Sequence, residues 1–233
     1  MRILHISDFH LSNDNANIAK SQKIVDGLIE AVKTANEKFP IDLVIFSGDA
    51  INKGGEGFAS LKDGFLSFQT ILIEPLMETL HLPLTNFIWC IGNHDIDRKL
   101  DSKYAEAGIA GKLTSLQAID DFCSDKNNLR DIRRIEPFKS YEKSFYQSAL
   151  GSNYKFGDFE SCYKYQIGNK KIGICCLNSV WRCWESSTDK GRILMGREQL
   201  SRASDFLKDC DVKIAVSHHD YQWMADFEIN EID

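Results

Sequence analysis

Short apolar runs alternate along the chain with longer segments of helical periodicity. Strand character covers residues 2–6, 42–47, 86–91, 163–167, 171–177 and 213–217. Several of these runs, such as Leu43-Val44-Ile45-Phe46, are apolar at every position. That pattern predicts strands covered on both faces, as in a sheet flanked by helices. Between the first two runs, Ile24, Leu28, Val32 and Ala35 recur at helical spacing, and Phe39-Pro40 closes the segment. A βαβ unit therefore opens the chain.

Residues 58–80 also read as helical, with Gly54-Gly55 ahead of them and Pro75 kinking or dividing the segment. From 97 to about 160 the pattern changes to polar helical pieces, with Phe138, Tyr141, Phe145 and Tyr146 marking one apolar side; this stretch is expected to be a helical insertion or cap. Gly168-Asn169 separates two strand-like runs as a hairpin turn would, and 196–207 reads as a helix before the last strand. Without internal repeats or a Ser/Pro-rich linker, residues 1–233 are expected to form one α/β domain with 97–160 embedded in it.

Composition narrows the function classes. Lys plus Arg number 28 against 34 Asp plus Glu, a formal charge of -6 without long runs, which disfavours a protein whose main business is coating nucleic acid or anionic membrane. No apolar stretch reaches the ~18 residues of a membrane span. The start Met1-Arg2-Ile3-Leu4-His5 turns polar too soon for a secretory signal, so a cytoplasmic location is the expectation. The seven cysteines show no Cys-x-x-Cys pair and often lie in apolar runs such as Ile174-Cys175-Cys176-Leu177. They read as reduced core thiols rather than a zinc knot or redox pair.

The chemistry sits at the strand ends. Asp8 and His10 follow the first apolar run, Gly48-Asp49 the second, Gly92-Asn93-His94-Asp95 the third, and His218-His219 the last. In open α/β sheets ligands gather outside the carboxyl ends of the strands, so these fragments can converge although they are distant in sequence. Singly each has an ordinary structural explanation, a helix cap, a turn or a hydrogen-bonded histidine. Jointly they combine carboxylate, amide oxygen and imidazole, a donor set suited to Mn, Fe or Zn.

Those residues make the chain resemble the calcineurin-like metallophosphoesterase superfamily, whose signature runs Asp-x-His, Gly-Asp, Gly-Asn-His-Asp/Glu, His, then Gly-His-x-His. Asp8-Phe9-His10, Gly48-Asp49, Gly92-Asn93-His94-Asp95 and His218 match, and Leu177-Asn178-Ser179 also looks like a common stretch of that family. The resemblance implies an α/β/β/α sandwich of two mixed sheets flanked by helices. It implies two metal ions, the first bound by Asp8 and His10, the second by Asn93 and His218, with Asp49 bridging and His94 catalytic. Such a pair neutralises a phosphoryl group and activates water near neutral pH. Asp95 is expected to orient the His94 ring. Spacing leaves His218 and His219 equivalent, because adjacent residues leaving a strand point opposite ways; similarity selects His218. His5 and His81 fall outside the motif.

The final Gly-His-x-His does not appear after His219. The resemblance therefore implies a catalytic domain continued by a further C-terminal segment, or a catalytically silent binding or regulatory domain of the same fold. The first reading makes the protein a phosphoester hydrolase, with a phosphodiester such as a nucleic acid or cyclic nucleotide as the leading substrate and no membrane partner. Lys126, Arg130, Arg133 and Arg134 are expected to form a solvated basic stripe on one helix, with Arg98 near enough to the third motif to meet a phosphate. Trp181 and Trp184 read as packing residues, base stacking being the alternative.

Overall fold

The computed structural model describes residues 1–129, 132–147, 151–185 and 187–232, and in it the apolar runs become two sheets. β1 (Ile3–Ile6), β2 (Leu43–Phe46) and β3 (Phe87–Trp89) form a parallel sheet in that order. β4 (Tyr154–Phe156), β5 (Ser161–Ile167), β6 (Lys170–Cys176) and β7 (Val212–Val216) form the second. Its pairings are antiparallel from β4 to β6 and parallel between β6 and β7. The expected two-sheet α/β arrangement is present, with mixed strand direction in the second sheet.

β2 shows what the uninterrupted apolar run is for. Successive side chains on a strand face opposite ways. Leu43 and Ile45 join Ile88, Cys90, Tyr163, Ile172, Ile174 and Cys176 in a core between the sheets, while Val44 and Phe46 join Phe65, Phe68 and Trp89 in a core under the helices. Cutting Leu43 to alanine in so closed a layer costs about 2–5 kcal/mol. Cys90 crosses the inter-sheet seam: its Sγ lies 3.7 Å from the Leu177 carbonyl oxygen and 3.8 Å from that of Val216. The carboxyl ends of β3, β6 and β7 thus meet at one edge of the sandwich.

Helix α1 (Asn15–Lys38) is capped by Asp14, whose Oδ1 accepts the Asn17 N–H at 2.9 Å. The long helical segment divides into α2 (Leu61–Phe68), a π turn (Gln69–Ile73) and α3 (Glu74–Leu80). The break comes just before Pro75, which has no N–H to offer and whose ring crowds the carbonyl four residues back.

Residues 97–160 contain α4 (Lys103–Ala110), α5 (Leu116–Ser124), α6 (Lys126–Leu129) and α7 (Glu136–Phe145). α7 joins the main core, with Phe138 and Tyr141 ring centroids 5.7 and 5.5 Å from Trp89. β4 also falls in this stretch, although its pattern reads as helical. α8 (Arg197–Phe206) backs β5, and α9 (Asp226–Ile232), absent from the sequence expectation, follows β7. Among the described residues no helix is long and apolar enough to cross a membrane.

Candidate metal centre

Where β1 and β2 end, the two chains stay hydrogen-bonded but change hand. Asp8 N–H donates to Gly48 O at 2.9 Å and His10 N–H to Asp49 O at 3.0 Å. Asp8, His10 and Asp49 have φ of 57°, 51° and 62°. Left-handed backbone costs a non-glycine residue on the order of 1–2 kcal/mol, and such strain collects where function needs it. Two glycines let the loops touch. A Cβ on Gly48, itself at φ +109°, would lie 2.6 Å from His218 Nδ1; one on Gly92 would lie 2.0 Å from Asp49 N.

The six motif residues converge. His10 Nε2 lies 3.7 Å from Asp8 Oδ1 and 3.6 Å from Asp49 Oδ2. His218 Nε2 lies 3.5 Å from Asp49 Oδ1 and 3.0 Å from Asn93 Oδ1. Atoms each about 2.1 Å from one cation stand about 3.0–3.4 Å apart in octahedral or tetrahedral geometry, so these spacings are near those of a shared ligand sphere. Ligand atoms of His10, Asp49 and His94 form one group, and those of Asp8, Asp49 and His218 another, each within 4.8 Å. Asp49, 3% exposed, belongs to both.

Backbone partners set both key imidazoles. His218 Nδ1 lies 2.9 Å from Ser47 O; a carbonyl only accepts, so Nδ1 carries the proton and the Nε2 lone pair faces Asn93 Oδ1. Two acceptors 3.0 Å apart are repulsive alone and compatible with a shared cation. His94 has the opposite tautomer: its Nδ1 accepts the Lys53 N–H at 3.0 Å, leaving the proton on Nε2. Burial holds its pKa below the ordinary histidine range; Asp49 opposes the shift, while His10, Arg98 and His218 reinforce it. Nothing in the local sequence signals Lys53, whose contribution is a backbone N–H.

Asp95 does not orient the His94 ring. Fully buried, it accepts the N–H groups of Asp49 and Gly92, both at 2.9 Å, and of Ile51 at 3.2 Å. It therefore ties the second-strand loop to the third. Burial, then the neighbouring Asp49, push its pKa up to about 8 against these donors. His219 turns away from Asp49: its Nδ1 is 3.0 Å from Ser179 Oγ and its ring stacks on Trp223 at 5.8 Å. Burial, then His218, lower its pKa to about 3. His5 Nε2 is 2.8 Å from Ser47 Oγ, and His81 caps α3 in left-handed conformation. Arg98 Nη2 donates to Asn93 O at 3.0 Å.

The expected basic stripe is not one helical face. The chain leaves α6 before Arg133, and Arg130 lies outside the described residues. Arg133 is exposed and 3.7 Å from Glu136, whereas Arg134 is 1% exposed. The Arg134 guanidinium pairs with Asp101 and Glu106, donates to Cys183 O at 2.7 Å and lies 5.2 Å from the Trp184 ring. Arg182 shares Glu106, at 3.0 and 2.5 Å. Trp181 is fully buried, its ring 5.0 Å from Phe159 and 6.0 Å from Phe122, which is packing.

The sequence model described as calcineurin-like phosphoesterase matches residues 1–230. Among curated proteins, none matches the chain.

Proposed function

The chain belongs to the calcineurin-like phosphoesterase family, and from that premise we propose that it is a phosphodiesterase using two metal ions, with Mn, Fe or Zn as the candidates. Metal-dependent phosphoester chemistry is the family's general class. Asp8, His10 and Asp49 would hold the first ion, and Asp49, Asn93 and His218 the second. The observation that carries this reading is the division of one buried carboxylate: Asp49 Oδ2 faces His10 at 3.6 Å while Oδ1 faces His218 at 3.5 Å.

When bound, such a pair supplies charge neutralisation and an activated water for in-line displacement at phosphorus. The protein's own groups do the rest. His94 keeps a proton on Nε2, fixed there by the Lys53 N–H, and would offer it as a hydrogen bond to the negative charge that develops on the phosphoryl or leaving oxygen. Asp95 keeps Asp49 and Asn93 in register by binding the backbone of both loops. Arg98, anchored on the Asn93 carbonyl, adds one positive charge beside the centre. A nucleic acid or cyclic nucleotide is the proposed substrate type.

The test strips the chain with chelator, reloads it with Mn²⁺, Fe²⁺ or Zn²⁺, counts metal per chain, and follows bis(p-nitrophenyl) phosphate and p-nitrophenyl phosphate. Two metals per chain, turnover abolished by chelator, and preference for the diester are expected. Bound metal without hydrolysis of either ester points to a silent binding domain instead, and preference for the monoester overturns the diester assignment.

A further inference from the structure

Three groups of His94 are fastened by one stretch of chain. Its N–H donates to Asp49 Oδ1 at 2.8 Å, its carbonyl oxygen accepts the Gly54 N–H at 2.9 Å, and its Nδ1 accepts the Lys53 N–H at 3.0 Å. All three partners lie in residues 49–54, the loop that leaves β2. That loop leaves Nε2 to the chemistry.

The loop reaches these positions only in an unusual conformation. Lys53 and Gly54 are consecutive left-handed residues, with φ of 43° and 64°, a backbone disfavoured for lysine and open to glycine. A Cβ on Gly54 would stand 2.8 Å from the Ile96 carbonyl oxygen, a backbone atom that cannot swing aside as a side-chain tip can. An alanine there must push the loop off the 94–96 backbone, and the two amides leave with it. The lysine side chain takes no part: it is exposed, and its Nζ lies 3.6 Å from Glu56 Oε2.

The far side of the loop is held as well. Asn13 Nδ2 donates to Gly57 O at 2.7 Å and Asn52 Nδ2 to Ser12 Oγ at 3.2 Å, so the loop after Asp49 is bound to the loop after His10. We propose that Lys53 and Gly54 form a two-amide clamp that positions His94 for the reaction, with Gly54 as the residue on which the clamp depends and the Lys53 side chain dispensable. One amide sets the rotation of the ring and leaves the proton on Nε2; the other sets the backbone that carries it. Nε2 is thereby aimed at the metal centre, where a misplacement of about 1 Å can cost about 10²-fold in rate. The clamp stands independently of hydrolysis; its effect on turnover rests on the phosphodiesterase reading.

The direct measurement is nuclear magnetic resonance of the isotope-labelled whole chain in chelator, reading the scalar coupling between the Lys53 amide nitrogen and His94 Nδ1 across their hydrogen bond. Coupling is expected in the wild type, a reading that needs no variant to fold, and in Lys53→Gly, which keeps the amide and discards the side chain. It is expected to vanish in Gly54→Ala, with unchanged circular dichroism verifying the fold. Gly57→Ala places a Cβ at φ +87° in the same loop, but its nearest neighbour, Asn13 Cβ, is 3.6 Å away. Coupling should survive there, which separates loss of the clamp from strain in the loop. Absence of coupling in the wild type, or its persistence in Gly54→Ala, overturns the clamp.

Turnover of bis(p-nitrophenyl) phosphate by the metal-loaded proteins tests the positioning role. For Gly54→Ala, kcat is expected to fall about 10²-fold with KM within about threefold and metal per chain unchanged, while Lys53→Gly and Gly57→Ala keep the wild-type kcat. A lost kcat in Lys53→Gly assigns the work to the side chain and overturns the proposal. So does a Gly54→Ala variant that loses the coupling yet keeps its kcat, or that loses metal in step with kcat. Coupling in a wild type that hydrolyses no ester sustains the clamp and sinks the phosphodiesterase reading. Hydrolysis without coupling does the reverse.

Discussion

The candidate metal centre and the wall formed by α4, the 182–194 segment and the start of α9 both bury ionisable side chains, but they satisfy them by different means. In the centre, Asp49 and Asp95 are 3% and 0% exposed, and the backbone supplies their hydrogen bonds: His94 N–H to Asp49, and three further amides to Asp95. On the wall, Arg134 and Arg182 are 1% and 8% exposed and are neutralised by other side chains, Asp101 and Glu106. Backbone amides are placed by the loops that leave the sheet and do not depend on the side chain of the residue that carries them, Gly48, Gly54, Gly92 and a change to proline excepted. A side-chain ion network stands only while each member is present. The centre should therefore tolerate substitution as a fold and fail as chemistry, whereas the wall should fail as a fold.

The largest effect is expected at Asp49. Asp49→Asn keeps the shape but weakens the carboxylate that faces both imidazoles, so metal content should fall at both positions and diester turnover should vanish. Asn93→Ala should lower occupancy mainly at the second position. Metal analysis of reloaded proteins checks both; equal metal in wild type and Asp49→Asn refutes the bridging role. On the wall, Arg134→Met leaves Asp101 buried without its cation and Glu106 with Arg182 alone, at a cost of about 3–5 kcal/mol of stability. Denaturant unfolding measures it. Stability lost together with metal affinity would erase the contrast between the regions.

His94→Ala sharpens the centre's side of the contrast. Turnover is expected to drop by roughly 10²–10³, the usual cost of removing one hydrogen-bond donor aimed at developing charge, with both metals retained. Because His94 also lies in the group formed by His10 and Asp49, loss of metal in this variant would make it a ligand rather than the hydrogen-bond donor.

The same contrast explains what could be read from the sequence. The centre was legible because each of its fragments is local and follows a strand: Asp8-Phe9-His10, Gly48-Asp49 and Gly92-Asn93-His94-Asp95 need only the sheet to bring them together. The role of Asp95 was not, since its partners are amides on another loop, and residue type does not reveal which backbone group a carboxylate will meet. Arg134 reads as one more surface cation. Its counter-ions lie 33 and 28 positions away and become neighbours only through the packing of α4 against the 182–194 segment. β4 has only three residues and takes its identity from pairing with β5. α9, with four acidic residues in Asp-Phe-Glu-Ile-Asn-Glu-Ile or just beyond it, looks like a solvated tail, although Glu228 is 3% exposed.

Glu228 provides the smallest effect and a direct test of the rule that separates the regions, because it lies on the wall's helix but is held as the centre's carboxylates are. It accepts Met195 N–H at 2.8 Å and Gly196 N–H at 3.0 Å, at the start of α8. Burial pushes its pKa above the usual glutamate value and outweighs those two donors, with Asp120 adding to the rise. For an acid whose pKa is higher folded than unfolded, the folded chain holds the proton more tightly. Its stabilising contribution is then complete below the unfolded value, near 4.3, and lost as pH rises through the folded value. Glu228→Gln cannot titrate, so the melting temperature of wild type minus that of the variant should fall as pH climbs through the carboxylate range and then level off. Thermal unfolding of both proteins across that range reads the slope directly. A difference that instead grows with pH means that the two amides and the helix end outweigh burial, and that backbone donors govern buried carboxylates on the wall as well as in the centre.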